Sequence, residues 1–147
     1  MRLFRDTVHT VNRTDYSEQQ LEAWAPESMS VEQWENSLAA HHSIVVEYNG
    51  TMIGFGDLIL TGYLDRLYVH KDYQRRGVGT AITDRLEQYA ADNGISVVTT
   101  DASITAKPFF EKRGYRTVRE QTVIRRGQTL TNYRMKLLLK SDETLSI

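Results

Sequence analysis

A chain of 147 residues, 40% hydrophobic and 25% charged, fits one domain of the usual ~100–200 residues and excludes a disordered tail or a collagen-like repeat. With no cysteine, disulfide scaffolds, Cys-ligated zinc, iron–sulfur centres and thiol catalysis are excluded as well. The net charge of −1 hides an asymmetry: residues 1–60 hold 3 Lys/Arg against 9 Asp/Glu, a net −6, and residues 61–147 hold 15 against 10, a net +5.

In chain order, alternation around Leu3, Arg5 and Thr7 predicts a first strand over Met1–Asn12. Two helices follow, each opened by a Ser-x-x-Gln capping box, Ser17 to Gln20 and Ser30 to Gln33. Their apolar faces carry Leu21 and Trp24, then Val31, Trp34 and Leu38. Strands Ser43–Tyr48 and Thr51–Leu60 flank Asn49-Gly50, both of which tolerate the positive φ of a type I′ hairpin turn. Gly54-Phe55-Gly56 reads as a bend within the second of these strands, because it lacks basic neighbours. Tyr63–Val69 is the next strand. Val78, Ile82, Leu86, Tyr89 and Ala90 then recur at helical spacing up to Asn93-Gly94. Ile95–Thr100 is a short buried strand, and Ala106–Arg113 a short helix with Pro108 in its first turn. Strands Tyr115–Ile124 and Thr129–Leu138 close the chain around Arg126-Gly127-Gln128. The order β-α-α-β-β-β-α-β-α-β-β is an α/β chain with a mixed sheet.

Met52–Leu60, interrupted by Asp57, is about half the ~18 residues of a membrane span. The opening MRLFRDTVHT is too charged for the apolar core of a signal peptide. A soluble, cytoplasmic protein with no membrane partner is expected. The charge blend lacks the basic face that nucleic acid requires. It suits an anionic small molecule on the second part and a cationic amine beside the first.

The segment that carries chemistry is Leu67-Tyr68-Val69-His70-Lys71-Asp72-Tyr73-Gln74-Arg75-Arg76-Gly77-Val78-Gly79-Thr80. It reads as a strand, a basic glycine-bearing loop and a helix start, where backbone N–H groups and the helix dipole attract anions. Gly77 and Gly79 admit phosphate oxygens to the backbone, Arg75 and Arg76 add charge, and Thr80 adds a hydroxyl. No Gly-x-x-x-x-Gly-Lys-Ser/Thr string occurs, and Ile82 stands where a dinucleotide fingerprint needs a third small residue.

Gln74-x-x-Gly77-x-Gly79, after Leu67-Tyr68-Val69 and before an amphipathic helix, resembles the acetyl-CoA signature of the GNAT superfamily of N-acetyltransferases. Ala106-x-x-Phe109-Phe110-Glu111-x-x-Gly114-Tyr115 resembles that family's second signature, and the element order resembles its fold over residues 1–139. The resemblance implies a mixed, mostly antiparallel sheet with helices on both faces, as one domain over residues 1–140 with a loose tail at 141–147. It implies transfer of acetyl from acetyl-CoA to a primary amine of a small molecule or peptide, by direct attack in a ternary complex. Leu67, Tyr68 and Val69 would flank the pantetheine arm, and the amides from Gln74 or Arg75 through Arg76, Gly77, Val78, Gly79 and Thr80 would hold the pyrophosphate. A backbone N–H near Tyr68 or Val69 would polarise the thioester carbonyl. Phe109 and Phe110 would border the thiol, and Trp24 and Trp34 the acceptor pocket.

The chain departs from the family's usual pattern twice. Phe110 stands where a proton-donating tyrosine is common, and Ser103 where an asparagine contacts the CoA arm. Tyr115 and Tyr133 are the candidate replacement acids, and a thiolate leaving unaided is the alternative. Asp65, Asp57 and Asp101 are the candidate bases, since an amine attacks only when unprotonated. Asp65 and Leu67 share a strand face unless a bulge intervenes.

Other features have plainer readings. His9, His41, His42 and His70 lack ligand spacing, so no metal is expected, and His41-His42 would sit at a helix end. Ser103 and Thr105 are expected to cap the short helix, and Arg125-Arg126 to be a solvated turn. No Gly-x-Ser-x-Gly elbow exists. Two rival functions remain: a non-catalytic acyl-CoA sensor on the same fold, and a nucleotide or nucleic-acid module using Arg75-Arg76. Leu137-Leu138-Leu139 suits a monomer's core or a homodimer's seam equally.

Overall fold

The computed structural model describes residues 12–24 and 41–139. The expected first strand up to residue 11, the helix at Ser30 with Val31, Trp34 and Leu38, and the tail at 141–147 lie outside the described residues.

Asn12–Thr14 form a 3₁₀ turn, and α1 spans Glu18–Trp24. Its start is the expected box: Ser17 N–H donates to Gln20 Oε1 at 2.9 Å, and Gln20 N–H to Ser17 Oγ at 3.2 Å. Six strands follow as β1 (His42–Tyr48), β2 (Thr51–Ile59), β3 (Tyr63–Val69), β4 (Val97–Ser103), β5 (Arg116–Arg125) and β6 (Gln128–Leu138). Helix α2 (Val78–Asp92) links β3 to β4, and α3 (Lys107–Lys112) links β4 to β5. His41-His42 therefore lead into a strand, and the ring of His42 stacks on Tyr89 at 3.6 Å.

The strands lie in the order β1-β2-β3-β4-β6-β5, antiparallel everywhere except between β3 and β4. The β1–β2 turn has Asn49 at φ 50° and Gly50 at φ 77°, and the β5–β6 turn has Arg126 at φ 48° and Gly127 at φ 80°. Both are the left-handed pairs that suit the twist of a hairpin.

One face of the sheet packs on α2 and α3, with Leu58, Leu64, Ile82, Leu86, Val98 and Met135 buried between them. The other face packs on α1 through Tyr16, Leu21, Phe55 and Leu130, with Trp24 and Tyr68 alongside. Helices therefore cover both faces of a mixed sheet. β2 runs as one strand through Gly54-Phe55-Gly56, and its pairing with β1 shifts register beside Gly54, with Ile53 as the extra residue. The two glycines face α2 instead: a Cβ would meet Val78 Cγ1 at 2.7 Å from Gly54, or Ile82 Cγ2 at 2.7 Å from Gly56. Their missing side chains let the helix that follows the basic loop sit directly on the sheet.

Two irregularities position the site. In β3, Arg66 pairs with Asp57 and Leu64 with Leu58, leaving Asp65 as the extra residue of a bulge. Alternation breaks there, so Leu67 joins the core beside α2 while Asp65 points elsewhere. The β3–β4 ladder consists of Tyr63↔Thr99 and Leu64↔Thr100, braced by Thr100 Oγ1 donating to Leu64 O at 2.9 Å. Past that point the two strands diverge. Strand β4 starts later and ends later than expected. Ile95 N–H is held by Ala90 O at 2.9 Å beyond the end of α2, and Asp101–Ser103 pair with β6. Among the described residues no helix is long and apolar enough to cross a membrane.

Candidate functional site

The gap between β3 and β4 opens into a cleft of about 610 Å³ that reaches the start of α2. Leu67, Tyr68 and Val69 line one side, and Gln74, Arg75, Gly77, Val78, Gly79 and Thr80 line the helix end. Ser103, Phe109 and Phe110 line the other side, so one wall set gathers nearly every residue expected to hold the cofactor. Arg76 is the exception; its guanidinium lies 5.5 Å over the ring of Tyr73 and is not part of the lining.

The loop is built by local hydrogen bonds. His70 Nδ1 accepts from Asp72 N–H at 3.1 Å to cap a 3₁₀ turn over Lys71–Tyr73, and Gln74 Nε2 donates to Val69 O at 2.6 Å. Arg75 and Gly77 then take φ values of 61° and 81°. Gly77 is the N-cap of α2, and no side chain caps the helix there. The first-turn N–H groups and the positive end of the dipole therefore face the cleft mouth, an arrangement that binds phosphate oxygens. Gly79 packs where a Cβ would touch Phe109 at 3.5 Å, which brings α3 against the helix start. Ser103 Oγ accepts from Ala106 N–H at 3.0 Å, which closes the turn before α3, but the N-cap of α3 is Ala106 and no side chain caps it, so Ser103 is not the expected cap. Thr105 does not cap it, because its hydroxyl donates to Asp15 at 2.7 Å.

The three candidate carboxylates differ sharply. Asp57 is fully buried and does not line the cleft; Arg66 Nε donates to both its oxygens, Arg66 Nη2 reaches Oδ2, and His41 Nδ1 lies 2.7 Å from Oδ2. Asp101 lines the cleft but is fully engaged: Arg134 grips both its oxygens at 2.7 and 3.1 Å, Tyr63 donates at 2.8 Å and Gln121 at 2.9 Å. Asp65 lines the cleft with its side chain 34% exposed, 3.9 Å from His41 Nδ1 and 3.8 Å from Arg66 Nε. Burial, and then the charge of Asp57, push the Asp65 carboxyl above the ordinary carboxylate range. His41, Asp57 and Asp65 each offer a ligand atom within 4.8 Å of the others. The guanidinium of Arg66 already supplies the positive charge that a metal ion would bring there.

The two candidate acids sit away from the cleft lining. Tyr115 is buried in the core, its hydroxyl donating to Glu87 at 2.9 Å. Tyr133 donates to Glu120 at 3.1 Å, with Lys107 Nζ 4.7 Å over its ring. The phenols that do line the cleft are Tyr68 and Tyr73. Burial raises the Tyr68 hydroxyl, which accepts the indole N–H of Trp24. Trp24 is itself a wall residue, as expected, while Trp34 lies outside the described residues. Sequence reading missed Thr100, Gln121 and Arg134, which reach the site by strand register and leave no local motif, as well as His41, just before β1, and Tyr73, which the basic loop carries but to which the motif gives no role.

The acetyltransferase (GNAT) domain family matches residues 12–137. The chain is similar to an uncharacterized N-acetyltransferase, YafP, from Escherichia coli (strain K12), 40% identical over 82% of this chain and 75% of that protein. Among solved structures it is similar to a GCN5-related N-acetyltransferase from Rhodopseudomonas palustris, with TM-score 0.90, 36% identity and coverage of 94% of this chain and 86% of that one. The PaiA N-acetyltransferase of Thermoplasma acidophilum in complex with coenzyme A shares the fold at TM-score 0.75 and 19% identity, over 94% of this chain and 89% of that one. A diverging β3–β4 pair, a basic loop, an uncapped helix start and a match over nearly the whole chain give one conclusion: the chain belongs to the GNAT acetyltransferase family.

Proposed function

We propose that the protein moves an acetyl group from acetyl-CoA to a primary amine of a small molecule or peptide, by direct attack within a ternary complex. The observation that carries this reading is the termination of the β3–β4 ladder at Leu64↔Thr100, which leaves a slot leading to the bare N-terminus of α2. A pantetheine arm lies in the slot beside Leu67, Tyr68 and Val69, and the pyrophosphate rests on the amides from Arg75 to Thr80. Phe109 and Phe110 border the thiol end. Asp65 is the base: it takes a proton from the ammonium, and the freed amine nitrogen attacks the thioester carbonyl carbon to give a tetrahedral adduct. As the C–S bond breaks, the remaining extra N–H proton of that adduct passes to the departing thiolate or to solvent. Its raised proton affinity suits that task better than an ordinary carboxylate would. Asp57 and Asp101 are committed to Arg66 and Arg134 and hold the architecture. Phe110 has no proton to give, and the thiolate leaves as such or is protonated by the adduct or by solvent. Asp65 and Asp101 on the wall favour a cationic acceptor.

Thermal unfolding with acetyl-CoA, with ATP and NAD as controls, tests the cofactor assignment. Ligand at about 100 times its dissociation constant adds ~2.7 kcal/mol, a rise of roughly 5–10 °C in a domain of this size. A rise with acetyl-CoA alone supports the reading, and no rise overturns it. Acceptor-dependent release of free CoA across a panel of amines then separates an enzyme from an acyl-CoA sensor.

A further inference from the structure

Asp57, Asp65, Arg66 and His41 form a compact charge cluster beside the cleft. Asp57 is fully buried, and a carboxylate there needs N–H donors on both oxygens. Arg66 supplies some of them, and His41 Nδ1 lies 2.7 Å from Oδ2. Two unprotonated groups do not approach so closely, so Nδ1 carries a hydrogen and Nε2 is the basic nitrogen of the ring. With a neutral imidazole the cluster holds two carboxylates and one guanidinium; protonation at Nε2 brings it to neutrality. The ring that would carry this charge has its Nδ1 3.9 Å from Asp65 Oδ2, while Arg66 Nε is already 3.8 Å away. The other charged or titratable groups felt by this cluster are Arg125 on β5 and the phenols of Tyr63 and Tyr68 on β3. His42 is turned to the opposite face, stacked on Tyr89.

We propose that His41, anchored on Asp57, is the positive charge that keeps Asp65 ionised as the pH falls, which makes it a positioning residue for the carboxylate that faces the amine. The proposal rests on the reading of Asp65 as the cleft's base. It extends the pH range over which that base is available, because an opposite charge this close favours the charged form of a carboxylate. His41 touches neither substrate nor cofactor. Its effect is exerted on Asp65.

Carbon-13 NMR of the Asp65 carboxyl carbon, assigned by loss of its signal in Asp65→Asn, tests this in the ligand-free protein. In His41→Gln the midpoint of Asp65 moves to higher pH, while His41→Lys, a permanent cation, holds it at or below that of the wild type. Equal midpoints in all three proteins overturn the proposal. Should a variant fail to fold, the wild type suffices: Asp65 shows a second inflection at the pH where the His41 ring carbons titrate, and its absence is equally fatal. Acetyl transfer plays no part in the measurement, so a failed base assignment and a failed His41 coupling are told apart.

Discussion

The close seat of α2 on β2 gives the sharpest test of how the site is built. In Gly56→Ala the new Cβ meets Ile82 Cγ2 at 2.7 Å, Arg66 O at 3.1 Å and Leu86 Cδ1 at 3.2 Å. The first contact is about 1 Å short of the ~3.5–4.0 Å optimum for carbon atoms. Leu86 can rotate its terminal methyl away. Ile82 is β-branched on a helix and held to essentially one rotamer, and Arg66 O is backbone in the β2–β3 ladder. The strain therefore falls on the strand–helix spacing, and overpacking of this kind costs about 1–3 kcal/mol. A loss near 2 kcal/mol lowers the urea midpoint by about 1 M at an unchanged m-value, and the melting temperature by roughly 5–8 °C. In an Ile82→Ala background the shortest contact is gone, so the cost of Gly56→Ala falls to what Arg66 O and Leu86 still impose, and the double-mutant cycle shows coupling. Because the same displacement shifts the start of α2, acetyl-CoA affinity falls as well. A Gly56→Ala protein as stable as the wild type, or a penalty undiminished in Ile82→Ala, refutes the packing argument.

Three further outcomes are expected. Tyr115→Phe removes a buried hydroxyl from Glu87 and loses about 1.5–3 kcal/mol in chemical denaturation. Its acetyl-transfer rate at a permissive temperature stays at the wild-type level; a slower chemical step would instead restore Tyr115 as an acid. Asp65 is the reverse case: its folded proton affinity is raised, so the native state holds the proton more tightly than the unfolded chain does. Its contribution to stability is therefore lost as pH rises from the ordinary carboxylate value through the raised one, and it is a liability at neutral pH. Asp65→Asn should melt higher than the wild type at neutral pH while losing turnover, and a lower melting temperature there would contradict the assignment. Gly77→Ala meets no atom within 4 Å but forces a side chain into φ 81°. A cost of ~1 kcal/mol with weaker acetyl-CoA binding by calorimetry is expected, and unchanged affinity would show that the loop's conformation does not matter.

Local chemistry made much of the fold readable in the sequence. Asn49-Gly50 dictates a hairpin whatever surrounds it, and Tyr63–Val69 is a strand with the bounds expected after Thr61-Gly62. Ser17 and Gln20 announce a helix start through bonds that span only three residues. The basic loop was equally legible, since a helix start rich in glycine and arginine carries its purpose within a few positions. What stayed hidden depends on register. Nothing near Asp57 shows that His41, sixteen residues earlier, will meet it across the β1–β2 hairpin. Nothing near Asp101 shows that Arg134, thirty-three residues later, will grip it. The bulge at Asp65 decides which way a carboxylate points, and it arises from the pairing of two strands rather than from its own residue type. Gly54 and Gly56 looked like a bend for the same reason, because the helix that needs them begins more than twenty positions later.

A sheet joined at its middle by two residue pairs and the Thr100–Leu64 brace has its shortest backbone seam there, tied from beneath by a core that Leu58, Leu64, Val98 and Met135 share. β1, β2 and β3 form one leaf, and β4, β6 and β5 the other, each knit by long antiparallel ladders. A ligand lying in the slot touches both leaves and acts as a splint between them. The amides flanking the seam should then gain hydrogen-exchange protection beyond the atoms the ligand contacts. On the proposed placement of acetyl-CoA, the co-substrate itself completes the sheet that holds it.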